Sequence, residues 1–177
     1  MKCLIFSDTH GNPALVHKAL KMHRDAEAVF FLGDGLSDFA DINFSNLNMA
    51  FYPVRGNCDP SSVSYFSYDV PKRDSVTLMG RKIIFTHGDL YYAKESTMRL
   101  EWLCESMEGD ILLFGHTHLR FEKYVDTEEK YKEMNSDPEA ILKMKNYYLF
   151  NPGSAGYNRS YGILTLTDNS ILFSHGE

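Results

Sequence analysis

The chain has 177 residues, 44% of them hydrophobic and 24% charged, which are the proportions of one globular domain of ordinary size. Its net charge of −6 and the shortness of its basic runs argue against binding to a long nucleic acid. The apolar runs are too short for a signal peptide or a membrane span, so we expect a cytoplasmic protein without membrane contact.

Five short apolar runs are predicted to be buried strands, because they are rich in β-branched and aromatic residues. They are Cys3–Phe6, Ala28–Leu32, Ala50–Val54, Lys82–Thr86 and Asp110–Phe114. Helical patterns alternate with several of these strands, which indicates an α/β layered fold.

Two helices are predicted between these strands. The first follows Asn12, which is expected to cap it, and Pro13, which suits its first turn. The second is predicted over Ala93–Gly109, with Gly109 ending the helix. The apolar side of this second helix is predicted to consist of Met98, Trp102, Leu103 and Met107.

Two further segments predict antiparallel hairpins. The first covers residues 75–86 and turns at Gly80, and the second lies near the end of the chain and turns at Asp168 and Asn169. Hairpins added to alternating strands and helices predict mixed rather than purely parallel sheets.

The charged segment Glu122–Asn146 interrupts this pattern. We interpret it as an insertion between two strands of a single domain that spans residues 1–177. Within it, Asp137 and Pro138 predict the start of a short helix. Because it follows "GHTH" and precedes "NPGS", we expect its two ends to lie near the polar cluster described next.

Each of the five predicted strands runs directly into a loop that carries potential metal ligands. In chain order these are Asp8 and His10 in "SDTH", Asp34 in "GDG", Asn57 and Asp59 in "GNCD", His87 in "THGD", and His116 and His118 in "GHTH". In α/β sheets, ligands bind beyond the carboxyl ends of the strands. Taken alone, each motif is as well explained by a capping turn or a polar loop. All five together indicate one cluster of imidazole, carboxylate and carboxamide groups.

The ordered series D-x-H, GD, GN-x-[DE], H and GH-x-H resembles that of the calcineurin-like metallophosphoesterase superfamily. The segment "NPGS", Asn151–Ser154, is similar to a further segment of its small prokaryotic phosphodiesterase branch, and the resemblance covers nearly the whole chain. It implies an α/β fold of the αββα sandwich type. In this fold, helices flank two mixed sheets, and a dimetal site lies at the carboxyl ends of the strands.

The resemblance also implies two metal sites. Asp8, His10 and His118 would hold the first metal, Asn57, His87 and His116 would hold the second, and Asp34 would bridge both. Such ligands suit two divalent transition-metal ions, with manganese expected and iron, zinc, nickel and cobalt as alternatives. A metal-bound hydroxide would be the nucleophile, with Asp34 and Asn57 as the catalytic residues of the protein.

The cysteines provide information on the redox state of the cellular compartment and on the substrate. Cys3, Cys58 and Cys104 are widely spaced and odd in number, so no disulfide framework is expected. Cys58 occupies the position at which many members of the superfamily carry a histidine that protonates the leaving group or binds a phosphoryl oxygen. We interpret its thiol as inert, and the sequence leaves open what replaces that acid. The small net positive charge of two metals with Asp8, Asp34 and hydroxide suits a phosphodiester monoanion.

The predicted function is therefore hydrolysis of a small phosphodiester. The alternatives are a protein-binding scaffold, like the retromer subunit of the same fold with its degraded metal site, and a nucleotide second-messenger hydrolase. A complete set of ligand positions argues against the scaffold. Arg159 is a candidate contact for a phosphate oxygen, and Tyr91 and Tyr92 are candidates for the substrate mouth, although a structural role is favoured for all three. The sequence is compatible with a homo-oligomer but does not determine the oligomeric state.

Overall fold

The computed structural model describes residues 1–60, 69–132 and 145–177, in which ten strands and three α-helices are found. The strands are β1 (Lys2–Phe6), β2 (Ala28–Phe31), β3 (Ala50–Pro53), β4 (Arg73–Leu78), β5 (Arg81–Thr86), β6 (Ile111–Phe114), β7 (Arg120–Val125), β8 (Tyr147–Pro152), β9 (Tyr161–Leu166) and β10 (Ile171–Gly176). The helices are α1 (Ala14–Met22), α2 (Met98–Ser106) and α3 (Thr127–Lys132). None of the described helices has the length and apolar character needed to cross a membrane.

The strands form two five-stranded sheets. The spatial order is β10-β9-β1-β2-β3 in the first sheet and β4-β5-β6-β8-β7 in the second. In the first sheet β1, β2 and β3 are parallel, and β9 and β10 add an antiparallel hairpin on one side. In the second sheet β5, β6 and β8 are parallel, and β4 and β7 are antiparallel edge strands. Helix α1 covers the first sheet and α2 covers the second. The predicted αββα sandwich with mixed sheets is confirmed.

Three apolar layers hold this sandwich together. One lies between α1 and the first sheet around Phe31, one between the two sheets around Phe30 and Phe85, and one between α2 and the second sheet around Leu112. Neighbouring residues of a strand point to opposite faces, so Phe30 and Phe31 enter different layers. Burial on both faces explains why the central strands are continuous apolar runs.

Helix α1 begins without the predicted cap. Its N-cap position is Pro13, and no side chain caps the helix there. The prediction for Asn12 is wrong, because its Nδ2 donates instead to the carbonyl oxygen of Gly156 at 3.2 Å. Asn12 thus ties the loop after β1 to the loop after β8.

Helix α2 is shorter than predicted and turns a different face to the core. It begins at Met98, and residues 89–91 form a separate short 3₁₀ turn. The predicted apolar side is wrong for Met98 and Trp102, which are 73% and 67% exposed. The buried side includes Leu100 and Cys104, and with them Glu101, whose carboxylate is paired with two lysines.

Both predicted hairpins are present. β4 and β5 are joined by Met79 and Gly80, whose φ angles of 49° and 72° suit a two-residue turn of type I′. β9 and β10 pair across the predicted turn at Asp168 and Asn169. Because the strand ends are fixed by these turns, each hairpin enters its sheet in one register.

The charged segment near residue 130 connects β7 to β8. Glu122–Val125 forms the end of β7, so the connection itself runs from 126 to 146, and the helix predicted at Asp137 lies outside the described residues. Val125 pairs with Tyr147, whereas Arg120 pairs with Pro152, beside the "NPGS" loop. At ~3.3 Å per residue, the connection starts about 17 Å from that loop. Its ends are therefore remote from the polar cluster, contrary to expectation.

Candidate metal centre

The loops after β1, β2, β3, β5 and β6 bring the seven predicted ligand side chains to one edge of the sandwich. A first group consists of Asp8, His10 and His118. The Nε2 atoms of His118 and His10 lie 3.2 Å and 3.8 Å from Asp8 Oδ1, and 3.3 Å from each other. Donor atoms of this group all lie within 4.8 Å of one another, as a bound metal ion would require.

A second group surrounds the Nε2 atom of His87. This atom lies 3.3 Å from Asp34 Oδ2, 3.2 Å from Asn57 Oδ1 and 3.1 Å from His116 Nδ1. Asp34 Oδ2 also lies 3.9 Å from His10 Nε2, in the first group. Asp34 therefore stands between the two groups, in the position of a bridging ligand.

Five of these residues have a left-handed backbone, which is costly for residues other than glycine. The φ angles are 55° for Asp8, 47° for His10, 62° for Asp34, 67° for His116 and 61° for His118. Each such residue costs about 1–3 kcal/mol, and such strain concentrates at functional sites. The backbone of this edge is thus strained at five of its predicted ligands.

Asp8 supplies a test of whether a cation fits. Its Oδ2 accepts hydrogen bonds from Ser7 Oγ at 2.5 Å and from the backbone N–H of His116 at 3.1 Å. Its Oδ1 is buried and has no hydrogen-bond partner among the described residues. A buried carboxylate oxygen left unpaired is unfavourable by about 1–3 kcal/mol. Since Oδ1 faces two imidazole nitrogens, the residues present fit a divalent ion.

His87 and Asp34 stabilise each other's charged forms. Burial opposes ionisation of Asp34, but the hydrogen bond and charge of His87 lower its pKa overall, so it is a carboxylate at neutral pH. Burial likewise disfavours charge on His87, but Asp34 and Asp8 raise its pKa overall. His87 Nδ1 lies 2.8 Å from the carbonyl oxygen of Leu32, so it is the donor, and Nε2 faces the site.

The pKa of His116 is shifted in the opposite direction to that of His87. Burial, followed by the neighbouring charges of His87 and Lys94, lowers the pKa of His116. A neutral imidazole is the form that ligates metals. His116 is therefore held in its ligating form.

Cys58 lies at the margin of this cluster and is exposed. Its Sγ is within 4.8 Å of donor atoms of His10 and Asp34. The hydrogen bond to Asp34, with burial and nearby carboxylates, raises the pKa of the thiol to about 11. The protonated thiol is a weak nucleophile and a weak metal ligand.

The carboxylate of Asp59 accepts four backbone N–H groups. Its Oδ1 bonds to Gly35 and Leu36 at 2.8 and 2.9 Å, and its Oδ2 bonds to Asp34 and Gly56 at 2.8 Å each. These bonds clamp the loop after β2 to the loop after β3. A Cβ atom at Gly56 would lie 2.1 Å from Asp34 Oδ1, so only glycine allows this approach.

The "NPGS" segment holds the loops after β1 and β6 in place by hydrogen bonds to their backbones. Asn151 is buried, and its Nδ2 donates to the carbonyl oxygen of Gly115 at 2.8 Å, beside His116. Ser154 Oγ donates to the carbonyl oxygen of Asp8 at 2.8 Å. The backbone of both ligand loops is thus fixed by side chains of one strand and the turn after it.

Tyr157 is a neighbour of the site that the sequence did not reveal. Its ring stacks on His118, with the centroids 5.3 Å apart and the planes 20° apart, and its centroid lies 5.2 Å from that of His10. The sequence feature that could have indicated Tyr157 is its position three residues after Ser154, in the loop after a strand that leads to the site.

The three residues singled out as further candidates make other contacts. The hydroxyl of Tyr91 accepts a hydrogen bond from Arg73 at 2.9 Å, and Arg99 lies 4.2 Å over the ring of Tyr92. Arg159 lines a cavity of about 420 Å³ beside the start of α1, together with Lys18. The contacts of Tyr91 and Tyr92 fit the structural role that was favoured, whereas the role of Arg159 stays a prediction.

Comparison with known proteins bears on the family to which the chain belongs. "Probable metallophosphoesterase YsnB" of Bacillus subtilis is 28% identical, and the match covers 96% of this chain and 87% of that protein. "Phosphodiesterase MJ0936" of Methanocaldococcus jannaschii is 30% identical over 71% of this chain and 78% of that protein.

Two solved structures share the fold. That of an archaeal phosphodiesterase has a TM-score of 0.70 at 24% identity and covers 99% of both chains. That of Vps29 from Entamoeba histolytica, complexed with zinc, has a TM-score of 0.67 at 17% identity and covers 99% of this chain and 98% of that one. At such identities the likeness establishes the architecture alone.

The family is established by the sequence as a whole. A model of the calcineurin-like phosphoesterase superfamily domain matches residues 1–175. This range includes both groups of clustered side chains and the "NPGS" segment. The chain therefore belongs to the calcineurin-like phosphoesterase superfamily.

Proposed function

We propose that the protein is a dimetal phosphodiesterase that hydrolyses a small phosphodiester. The observation that carries the proposal is the pair of donor groups joined by Asp34. In one of them the buried Oδ1 of Asp8 accepts no hydrogen bond from the described residues, although His118 Nε2 lies 3.2 Å away. A purely structural polar cluster would be expected to pair that buried oxygen.

In this proposal Asp8, His10 and His118 would hold the first ion, Asn57, His87 and His116 would hold the second, and Asp34 would contribute to both. When bound, the ions would supply a hydroxide nucleophile at neutral pH and would stabilise the charge that develops on the phosphoryl oxygens. Nitrogen and oxygen ligands suit manganese, with iron, zinc, nickel and cobalt as alternatives.

The residues of the chain give the site its chemical preference. Asp34 is ionised, and the thiol of Cys58, with its pKa of about 11, stays protonated and offers only a weak acid to the leaving group. General acid catalysis contributes about 10²–10⁴-fold, so basic alkoxide leaving groups should depart slowly. Two carboxylates in the site also favour a monoanionic diester over a dianionic monoester.

The same proposal places the protein in the cytoplasm and makes its substrate a small molecule. Cys3, Cys58 and Cys104 are all free thiols, which suits a reducing compartment. The net charge of −6 disfavours a long nucleic acid but not a single nucleotide ester.

Turnover by the metal-reconstituted protein tests the function. Bis(p-nitrophenyl) phosphate should be hydrolysed faster than p-nitrophenyl phosphate, and chelator-treated protein is the control. A panel that includes cyclic nucleotides would reveal a second-messenger hydrolase. No hydrolysis of any diester with both metals bound would contradict the proposal and favour a scaffold.

A further inference from the structure

We infer that Tyr157 is a substrate-contacting residue whose ring stacks on a planar aromatic ester group of the diester, so that the site selects aryl or nucleoside-type esters. The inference rests on the proposed function and names the substrate class of the same site.

The first argument is the exposure of the ring. Tyr157 is 66% exposed, although its ring packs on His118 and approaches His10. Within the described residues its hydroxyl makes no hydrogen bond. A large aromatic side chain left open beside a polar cluster offers apolar, stackable surface where the rest of the site is polar.

The second argument is that the ring is held in place before any substrate arrives. The backbone N–H of Tyr157 donates to Ser154 Oγ at 3.0 Å, and that of Gly156 donates to the carbonyl oxygen of Asp8 at 3.1 Å. On the other side, Asn158 Nδ2 donates to the carbonyl oxygen of His118 at 2.6 Å. The loop is thus fastened to both strained loops of the first group, which lowers the entropy cost of binding a ligand against the ring.

The third argument is distance. The ring centroid of Tyr157 lies 5.2 Å and 5.3 Å from those of His10 and His118, within the spacing at which aromatic rings interact. An aryl group joined by one oxygen to a phosphorus at this cluster would reach the same ring.

The competing explanation is that Tyr157 only positions His118. The two roles differ in what they do to ligand preference. Loss of a stacking surface weakens binding of aromatic esters alone, whereas a displaced His118 weakens metal binding and therefore every phosphate ligand equally.

The test measures binding of diphenyl phosphate and dimethyl phosphate to the metal-loaded protein by calorimetry, with metal content determined in parallel. Both probes are diester monoanions with poor leaving groups. The wild type should bind the diphenyl ester more tightly, and Tyr157→Leu should reduce this preference by about 3- to 10-fold. Tyr157→Phe should retain it, because the ring rather than the hydroxyl makes the contact. Tyr124→Leu is the control, since Tyr124 is an exposed tyrosine on β7.

An unchanged preference in Tyr157→Leu, or an equal loss for both esters together with lost metal, would overturn the inference. Its failure is distinguishable from that of the proposed function. If the wild type hydrolyses diesters but the preference does not depend on Tyr157, only the inference fails. If the wild type hydrolyses none, the function fails whatever the preference.

Discussion

Cys58 and Asp59 are neighbours in one loop, yet their environments assign them different roles. The Cys58 thiol lies beside Asp34 and is kept protonated, while the Asp59 carboxylate accepts four backbone N–H groups. Substitutions at Cys58 test a role in catalysis, and a substitution at Asp59 tests a role in holding the loops together.

We expect Cys58→Ala to hydrolyse an aryl diester within a few-fold of the wild-type rate, because such a leaving group needs little protonation. The measurement is kcat on bis(p-nitrophenyl) phosphate with metal content determined in the same sample. Since the Sγ atom lies within reach of His10 and Asp34, the metal content also tests whether the thiol contributes a ligand. A thousand-fold loss with both metals present would make Cys58 catalytic.

Cys58→His should shift the preference of the site toward phosphomonoesters. An imidazolium there adds a positive charge and a proton donor, and both favour a dianionic substrate with a basic leaving group. The ratio of kcat/KM for p-nitrophenyl phosphate to that for the diester should rise. An unchanged ratio at full metal content would show that this position does not control substrate charge.

Asp59→Asn should weaken both folding and metal binding. The amide keeps one acceptor oxygen but turns its NH₂ group toward two N–H donors, so two charge-assisted hydrogen bonds are lost at a cost of about 3 kcal/mol. Metal affinity should fall by about 10- to 100-fold, as it does when groups that orient ligands are changed. Asp38→Asn is the matched control, because Asp38 accepts one backbone N–H, from Gly11 at 3.0 Å. Wild-type affinity and stability in Asp59→Asn would contradict the clamp.

The clustering of the seven predicted ligand side chains could be anticipated from the sequence because each follows a strand within a specific motif. Asp59 and Tyr157 could not be assigned, since their roles depend on loops that are distant in sequence. A pattern such as "GNCD" does not distinguish a carboxylate that faces a metal from one that gathers backbone N–H groups.

At the scale of elements, a network of charges around the buried Glu101 fastens α3 to α2. Lys130 Nζ lies 2.8 Å from both Glu101 Oε2 and Glu105 Oε1, and Lys123 Nζ lies 2.7 Å from Glu101 Oε1. Burial opposes ionisation of both glutamates, but the hydrogen bonds from these lysines lower their pKa values overall. The prediction of the apolar side of α2 was wrong here, because the burial of Glu101 depends on lysine partners more than twenty residues away in the sequence.

Lys130→Met should lower the free energy of unfolding by about 1–3 kcal/mol, because it leaves buried carboxylates with fewer donors. Since the folded pKa of each glutamate is depressed, their stabilisation is present above the ordinary carboxyl pKa and is lost as the pH falls below it. The difference from the wild type should therefore shrink below about pH 4.

Urea unfolding at pH 7 and at pH 3.5 measures this effect. Lys132→Met is the control, because in the part of the chain that the structure describes Lys132 forms an ion pair with Glu128 alone, on the surface of α3, and this variant should unfold like the wild type. A difference that is as large at pH 3.5 as at pH 7 would show that the lysine acts through packing rather than through charge.

The connection between β7 and β8 should be dispensable for the metal centre. The two ends of this connection are joined by the hydrogen bond from the backbone N–H of Thr127 to Asn146 Oδ1 at 3.0 Å. Helix α3, which starts at Thr127, is only about 8 Å long. Replacing residues 133–144 with a short Gly/Ser linker should leave metal stoichiometry and turnover unchanged. Loss of metal from a folded variant would show that this segment acts on the site.

At the scale of the whole molecule, the site depends on the docking of two sheets. Asp8 and Asp34 follow strands of the first sheet, and His87 and His116 follow strands of the second. The layer around Phe30 and Phe85 therefore determines how the two halves of the site face each other.

The fold class could be predicted because strand runs, hairpin turns and motif order all agreed. The packing of α2 and the course of the chain after β7 could not, because they depend on side chains that meet only in the folded protein. For the same reason, the sequence could suggest candidate ligands but could not show that Asp8 Oδ1 accepts no hydrogen bond from the residues that the structure describes.

Metal stoichiometry in wild type and in Asp34→Asn tests the central claim most directly. After removal of metal and reconstitution with manganese, elemental analysis of the wild type should approach two equivalents per chain, and turnover of an aryl diester should rise with the second equivalent. Asp34→Asn, which loses the charge between the two groups, should show lower occupancy and lower turnover together. Full diesterase activity in metal-free protein, or wild-type occupancy and turnover in Asp34→Asn, would contradict the account.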